Sequence, residues 1–122
     1  MKRLFIILSI ILLINSYYAN SQIEYTVDKW IEYVEELALE TEDTERIESL
    51  YADLSYLIEH PFDLNAVTEE QLKRLPFLSD RQIEQLLSYR KRYGNMVSIY
   101  ELKNIEDIDF QTISLLLPFV YI

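Results

Sequence analysis

Side chains that could carry out chemistry are scarce in this sequence of 122 residues. It contains no cysteine and one histidine, His60, which stands directly before Pro61. Without thiols the chain has no disulfide framework, no thiolate metal site and no cysteine nucleophile. No serine stands in a nucleophile-elbow pattern, and a single glycine, Gly94, excludes a glycine-rich phosphate loop. The sequence therefore predicts neither an enzyme nor a bound cofactor.

Carboxylates are the most abundant polar groups, and two arrangements of them could carry chemistry. Adjacent pairs such as Glu35-Glu36 do not share a helix face, so they do not predict paired acid–base catalysis. The run Glu40–Asp43 lacks the glycine and the spaced oxygen ligands that a calcium loop requires. We interpret this run as a solvated charged face and predict no metal site.

The charge balance of the chain argues against a polyanionic ligand. Eleven basic side chains stand against twenty-one acidic ones, which gives a net charge of −10 at pH 7. Polyanions such as DNA are held largely by cationic contacts that release counterions. A net negative charge has the wrong sign for such a ligand. No pattern in the sequence points to a small-molecule substrate either.

The first twenty-one residues are predicted to be a secretory signal peptide. Lys2 and Arg3 precede an apolar run, Leu4 to Ile14, and small residues stand at the expected cleavage site, Ala19 and Ser21. A retained membrane anchor is the alternative, but spanning a bilayer takes ~20 apolar residues. Cleavage after Ser21 predicts an exported protein that is periplasmic, outer-membrane-associated or secreted. It would contact a membrane only through this segment, before cleavage.

Residues 22–60 are predicted to form an acidic helical hairpin, since twelve acidic side chains stand there against two basic ones. Apolar residues recur at helical spacing in two runs: Val27, Trp30, Ile31, Val34 and Leu37, then Ile47, Leu50, Tyr51, Leu54, Leu57 and Ile58. Thr26 and Thr44 are the expected N-caps. The short link between the helices favours an antiparallel pair. Pro61 marks the boundary with the second half, because proline disfavours helix at the preceding residue.

An internal repeat organises the second half, residues 61–122. Val67–Leu87 matches Val97–Leu117 at an offset of thirty. The aligned pairs are Val67 with Val97, Leu72 with Leu102, Lys73 with Lys103, Ile83 with Ile113, and Leu86-Leu87 with Leu116-Leu117. Repeated helix pairs bury their apolar sides only against each other, so we expect the copies to pack with pseudo-twofold symmetry.

Each copy is predicted to be a short helix, a tight turn and a second helix. The expected helices are Glu69–Leu75, Asp80–Tyr93, Ile99–Asn104 and Phe110–Leu117. The expected capping boxes are Thr68 with Gln71, Ser79 with Gln82, and Ser98 with Glu101, and Asp109 is a further N-cap. Gly94 is expected to close the longest helix in a left-handed conformation. The predicted core is Leu72, Leu75, Leu78, Ile83, Leu86, Leu87, Leu102, Ile105, Ile108, Ile113, Leu116 and Leu117.

The second half resembles a known family. The residues that carry the likeness are Asp63–Leu72, Leu75-Pro76, Ser88-Tyr89-Arg90, Gly94, Leu102 and Pro118-Phe119-Val120. They are similar to the tandem helix-hairpin-helix module of ComEA-type competence DNA receptors, over about sixty residues without gaps. The signal segment and the phrase Leu75–Asp80 look more like a Bacteroidetes branch of exported helix-hairpin-helix proteins. Members of that branch are often longer, so the chain is expected to be a short member or an N-terminal piece.

The resemblance implies an all-α fold, in which the helical hairpin precedes a tandem helix-hairpin-helix bundle of the SAM-like kind. In DNA-binding members, glycines in each hairpin turn let backbone N–H groups approach a phosphate. The matching positions here are Phe77, Leu78 and Ser79 in the first turn, and Asp107, Ile108 and Asp109 in the second. Side chains fill the glycine positions, and some of them are carboxylates. The resemblance thus implies hairpins that are degenerate for DNA binding.

Basic residues keep ComEA-like, non-sequence-specific DNA binding in DNA uptake as the alternative function. The possible contacts are Lys73, Arg74, Arg81, Arg90, Lys91 and Arg92. The last three also suit a helix C-terminus, where cations interact favourably with the helix dipole. The preferred hypothesis is a non-catalytic adaptor that binds another protein or a domain downstream of this chain. The apolar segment Leu115–Ile122 motivates it, because a partner could cover its final residues.

Overall fold

A computed structural model describes residues 2–122, apart from the side chains of Leu4 and of residues 12–28. Two helices come first, α1 (Lys2–Glu40) and α2 (Thr44–Glu59), and three residues join them. The described chain is mostly helical, which agrees with the expected all-α class. The predicted cleavage site after Ser21 falls among residues 12–28, whose side chains lie outside what the structure describes.

The first turns of α1 carry apolar side chains that the fold does not bury. About half or more of the residue surface is exposed at six positions: Phe5, Ile6, Ile7, Leu8, Ile10 and Ile11. None of them belongs to the buried core. Over the part of the chain that the structure describes, no helix has the length and apolarity needed to cross a membrane.

The N-caps of the first two helices differ from the sequence expectation. Thr26 lies inside α1 and does not cap it, since the helix begins at Lys2. Thr44 is the first residue of α2, and Asp43 is its cap. The Asp43 carboxylate accepts a hydrogen bond from the backbone N–H of Arg46 at 3.0 Å. A carboxylate caps a helix at least as well as a hydroxyl and also suits the positive end of the helix dipole.

Two short strands tie the end of the repeat region to its beginning. β1 (Phe62–Asp63) pairs in parallel with β2 (Val120–Tyr121). The backbone N–H of Leu64 also donates to the carbonyl of Tyr121 at 2.9 Å. Two-residue strands carry no periodic signal, so the sequence did not predict this pair.

The helices of the repeat region lie close to their expected positions. They are α3 (Glu69–Leu72), α4 (Asp80–Tyr93), a 3₁₀ helix (Ile99–Asn104), α5 (Phe110–Leu116) and a second 3₁₀ helix (Leu117–Phe119). The expected ends of α4 are confirmed. The prediction for α3 was too long, because the chain tightens there: the N–H of Leu75 donates to Leu72 only three residues back. α5 ends at Leu116, where the second 3₁₀ helix takes over.

Two predicted capping boxes are confirmed, at the starts of α3 and α4. The hydroxyls of Thr68 and Ser79 each accept from the N–H three residues later. The side-chain oxygens of Gln71 and Gln82 each accept a hydrogen bond from the backbone N–H of the cap residue. Each box satisfies N–H groups that a helix start otherwise leaves without a partner.

The capping box predicted at Ser98 is wrong. The Ser98 hydroxyl accepts from Tyr100, two residues on, at 3.2 Å. The Glu101 carboxylate accepts from the N–H of Val97 and from the hydroxyl of Tyr89. The helix that follows is of the 3₁₀ type, whose tighter turn does not present the N–H groups that an α-helical box uses.

Gly94 ends α4 with a positive φ, as predicted, but not in the left-handed helical region. Its φ is 79° and its ψ is −161°. The N–H of Gly94 donates to the carbonyl of Arg90 at 2.9 Å. Residues with a side chain rarely adopt this combination of angles, which explains why glycine stands here.

The buried side chains form one cluster that includes residues from both halves of the chain. Its members are Trp30, Val34, Leu54, Leu57, Phe62, Leu64, Val67, Leu72, Leu75, Leu78, Ile83, Leu86, Met96, Leu102, Ile105, Ile108, Leu116, Phe119 and Val120. Of the predicted core, Leu87, Ile113 and Leu117 are only half-buried. Phe119 lies where the halves meet, since its ring contacts those of Trp30 and Phe77.

The two copies of the repeat contact each other at equivalent positions. The side-chain amide of Gln82 donates to the hydroxyl of Thr112, its partner thirty residues on, at 3.2 Å. The copies are nevertheless unequal at their starts. Val67 is 2% exposed, whereas its partner Val97 is 88% exposed.

Candidate functional site

The two predicted site segments lie at the starts of neighbouring helices. We call Phe77–Ser79 the first turn and Asp107–Asp109 the second turn; they lead into α4 and α5. Arg81 Nε donates to the carboxylate of Asp107 at 2.6 Å. The amide of Gln82 donates to the backbone carbonyl of the same residue at 3.1 Å. The structure therefore brings the two turns together.

In the first turn, Phe77 packs into the protein and does not leave bare backbone. Its ring meets Tyr33 of α1 edge-on at 6.0 Å and Phe119 at 5.7 Å, measured between ring centroids. Burial and, to a smaller extent, the carboxylate of Glu40 raise the pKa of Tyr33. Leu78 is buried in the core. Phe77, which stands at a position where the resemblance would place a glycine, thus attaches α1 to the first turn.

Ser79 uses its polar groups within its own capping box. Its hydroxyl accepts from the N–H of Gln82 at 3.1 Å, and the Gln82 side chain accepts from the N–H of Ser79 at 3.0 Å. Two of the backbone donors that a phosphate at a helix start could use are therefore already bonded. A phosphate bound to these two N–H groups would have to displace both hydrogen bonds.

In the second turn, Asp107 has φ of 65°, which is the left-handed region that favours glycine. Its carboxylate pairs with Arg81 and, through this hydrogen bond and the charge, raises the pKa of the guanidinium. The arginine that lies nearest to the turn is therefore paired within the protein. Ile108, the middle residue of this turn, has a buried side chain.

Asp109 caps α5, as predicted from the sequence. Its carboxylate accepts from the N–H of Thr112 at 2.7 Å. The bonds from the Thr112 backbone and hydroxyl lower the pKa of Asp109. At neutral pH the start of α5 therefore carries a negative charge, where a phosphate site needs exposed donors.

Carboxylates of α1 line the same side of the molecule as the turns. Glu32, Glu36 and Glu40, which we call the acidic row, are spaced by four and so share one helix face. Glu40 and Pro76 line one cleft of about 670 Å³. The other two carboxylates line a second cleft of about 310 Å³ together with Phe110, the first residue of α5. A polyanion approaching either turn would meet this row.

Arg90 is used to hold the backbone that precedes α3. Its guanidinium donates to the carbonyls of Leu64 and Val67 at 3.1 and 2.8 Å. The side chain is half-buried in this position. The sequence suggested that Arg90 serves the C-terminus of α4, whereas in the structure its guanidinium hydrogen-bonds to the segment before α3.

In the part of the chain that the structure describes, no ion pair joins the other candidate basic residues to either turn, although Lys73 and Lys91 share a cleft with Asp80, the first residue of α4. Lys73 pairs with Glu69 at 2.9 Å, and this hydrogen bond raises the pKa of the lysine. Lys91 lines a cleft together with Lys73 and with the carboxylates of Glu69, Asp80 and Glu84. The guanidinium of Arg92 lies 5.5 Å from the ring centre of Tyr93. Among the described residues, no ion pair includes Arg74.

The described side chains offer no arrangement for metal chemistry, since no group of three or more histidine or acidic residues among them could hold an ion. His60 closes α2: its ring stacks on Tyr56 at 4.2 Å and its Nδ1 lies 3.0 Å from the Tyr56 carbonyl. His60 therefore makes a capping contact at the C-terminus of α2.

Sequence reasoning missed the part that α1 plays at the turns. The spacing of the acidic row was visible in the sequence, but nothing there said which surface that helix would cover. The contact between Phe77 and Tyr33 joins residues more than forty positions apart, and local patterns do not report such contacts.

Comparison of the chain with family models, with curated proteins and with solved structures gives no match.

Proposed function

We propose that this chain is an exported, non-catalytic protein-interaction module on a tandem helix-hairpin-helix scaffold whose turns do not hold a phosphate. The observation that carries the proposal is the chemistry of the second turn. Asp107 and Asp109 place two carboxylates at the start of α5, and one of them occupies a backbone conformation suited to glycine. The partner is another protein or a domain downstream of this chain.

The first turn supports the proposal in a different way. Phe77 lies against Tyr33, and the donors of Ser79 and Gln82 bond to each other. A phosphate bound to the backbone N–H groups of these two residues would have to displace the capping box, which costs free energy before any favourable contact with the ligand is made.

Electrostatics supports the same conclusion. Non-specific DNA affinity comes mainly from neutralising phosphates with lysine and arginine. Near the turns, Arg81 is already paired with Asp107, and the acidic row adds three carboxylates, of which only Glu32 has a described ion pair, with Lys29. The local charge therefore repels a duplex where the scaffold would be expected to bind one.

The exposed side chains support a protein partner. Large apolar residues remain on the described surface: Leu39, Tyr51, Tyr56, Tyr93, Val97, Tyr100, Phe110, Tyr121 and Ile122. Exposed aromatic residues are enriched in protein interfaces, where they bury a large area with few rotatable bonds. The segment Leu115–Ile122 contributes less than its composition suggested, because Phe119 and Val120 are buried and only the last two residues are exposed.

A duplex titration separates this proposal from ComEA-like DNA binding. The chain from Gln22 onwards would be titrated into a fluorescently labelled duplex at low and at physiological salt, with anisotropy as the readout. We expect no saturable binding. A matched variant, Asp107→Lys with Asp109→Lys, reverses the charge of the second turn and should show weak, salt-sensitive binding. Micromolar binding by the unmodified chain that weakens steeply with salt would support the DNA function instead.

Export is tested separately, by expressing the whole chain with a C-terminal tag and measuring the mass of the product in each cell fraction. We expect a product that begins at Gln22 outside the cytoplasm. A full-length product in the membrane fraction would support the retained anchor and contradict cleavage after Ser21.

A further inference from the structure

An apolar groove runs between α1 and α2 on the side away from the first turn. Tyr33 and Leu37 line the cleft that faces Pro76. Val34 and Ala38 follow them by one position each, which places them about 100° further round the helix. They line a different groove, of about 430 Å³, together with Ile47 and Tyr51 of α2.

The floor of this groove is apolar and accessible. Val34 is buried, while Tyr51 is 48% exposed even though its ring rests on Trp30 at 5.3 Å. Two helices that contact each other leave a furrow in which a third helix can pack. The lining spans little more than one turn of each helix, which suits a single large apolar side chain of a partner.

The rim of the groove is negative. Glu35 stands on the α1 side and Glu48 on the α2 side. Among the described residues, no ion pair includes either carboxylate. The two basic residues between Gln22 and His60 lie elsewhere: Lys29 pairs with Glu32, and Arg46 lines the opposite cleft.

We propose that this groove receives a basic amphipathic helix of a partner protein. One apolar side chain of that helix enters between Ala38 and Tyr51, and lysine or arginine residues one turn away pair with Glu35 and Glu48. Helix-in-groove recognition uses this pattern of apolar anchors at helical spacing, and complementary charge selects the partner. The inference rests on the proposed function, because it names the class of protein that the module binds.

The test uses a synthetic helical peptide of leucine and lysine in an amphipathic pattern, with a leucine–glutamate peptide of the same pattern as its counterpart. Trp30 is the only tryptophan and its ring contacts Tyr51, so its fluorescence reports binding in the groove. We expect the lysine peptide to bind and to shift this fluorescence. Ala38→Arg, which fills the groove and changes its charge, should weaken binding at least about tenfold, or 1.4 kcal/mol.

Charge reversal supplies the matched control. Glu35→Lys with Glu48→Lys changes the rim, while Glu32→Lys with Glu36→Lys makes the same change in net charge on another face of α1. We expect the rim variant to lose binding about tenfold and the control to change it little. Circular dichroism confirms that each variant is folded. Equal weakening by both variants, or equal binding of the glutamate peptide, would overturn the proposal.

Sedimentation of the chain alone tests the other possible occupant. We expect a monomer at micromolar concentration. A dimer that Ala38→Arg dissociates would assign the groove to a second copy of the chain and overturn the partner helix. The duplex titration remains separate: DNA binding with peptide discrimination intact would contradict the proposed function and leave the groove assignment standing.

Discussion

The first and second turns occupy equivalent positions thirty residues apart, yet they are stabilised by opposite means. Phe77 in the first turn packs between the rings of Tyr33 and Phe119. Its counterpart Asp107 is exposed, has a positive φ and pairs with Arg81. The first turn is thus held by an aromatic contact with α1, and the second by an ion pair at the surface.

The same difference extends to the helices that precede the turns. The first copy begins with a complete capping box and a buried Val67. The second begins with a 3₁₀ helix, an incomplete cap and an exposed Val97. The two copies therefore share buried residues such as Leu72 and Leu102 but differ in how their first helices begin. This comparison leads to four predictions.

The largest effect is expected where the copies are alike. Leu72 and Leu102 are both fully buried, so Leu72→Ala and Leu102→Ala should each lower the free energy of unfolding by about 2–5 kcal/mol. Urea denaturation measures both values. If one substitution lowered the free energy of unfolding several times less than the other, the copies would not share one cooperative core.

Phe77→Ala should separate the first copy from the second. Because Phe77 is half-buried, we expect a loss of about 2 kcal/mol, less than for a fully buried phenylalanine. Asp107→Ala, at the equivalent position, should cost less. Denaturation of both variants under the same conditions makes the comparison, and a larger cost at Asp107 would contradict the assignment of Phe77 as the residue that attaches α1 to the first turn.

The backbone of the second turn can be tested with two substitutions at one position. Asp107→Gly and Asp107→Ala both remove the ion pair with Arg81, so their difference reports the positive φ. The glycine variant should be more stable by about 1 kcal/mol, because glycine adopts this φ without steric cost. Equal stability of the two variants would show that the turn carries no strain.

The smallest effect concerns the two helix caps and pH. Ser79 caps α4 with a neutral hydroxyl, whereas Asp109 caps α5 with a carboxylate whose pKa is lowered by Thr112. A lowered pKa in the folded protein means that this contribution is present above the ordinary value of 3.8 and is lost as pH falls through the folded value. The stability difference between the unmodified chain and Asp109→Asn should therefore shrink on acidification. Ser79→Ala should show a difference that does not change with pH, and a constant difference for Asp109→Asn would contradict the assignment.

Local patterns predicted much of the helical framework. The bounds of α4, two capping boxes and the Asp109 cap follow from short-range rules that depend on neighbouring residues. Errors occurred where another residue or helix type competed. Asp43 took the cap expected at Thr44, and the 3₁₀ geometry after Ser98 removed the expected box.

The candidate site was less predictable, since its surroundings depend on contacts between distant segments. The positions in the two turns could be named from the repeat and the resemblance. The packing of Phe77 on Tyr33, and the bonds of Arg90 to Leu64 and Val67, join residues far apart in the chain. No periodicity reports such contacts, and they determine which basic residues remain available to a ligand.

The most direct test of the proposed loss of phosphate binding follows the backbone amides of the two turns by nuclear magnetic resonance during titration with duplex DNA at low salt. The amides of Ser79, Gln82, Asp107, Asp109 and Thr112 would be monitored. We expect their chemical shifts to stay unchanged at up to equimolar duplex. Saturable shifts at these amides that disappear when salt is added would show that the turns hold phosphate, and would contradict the proposed function.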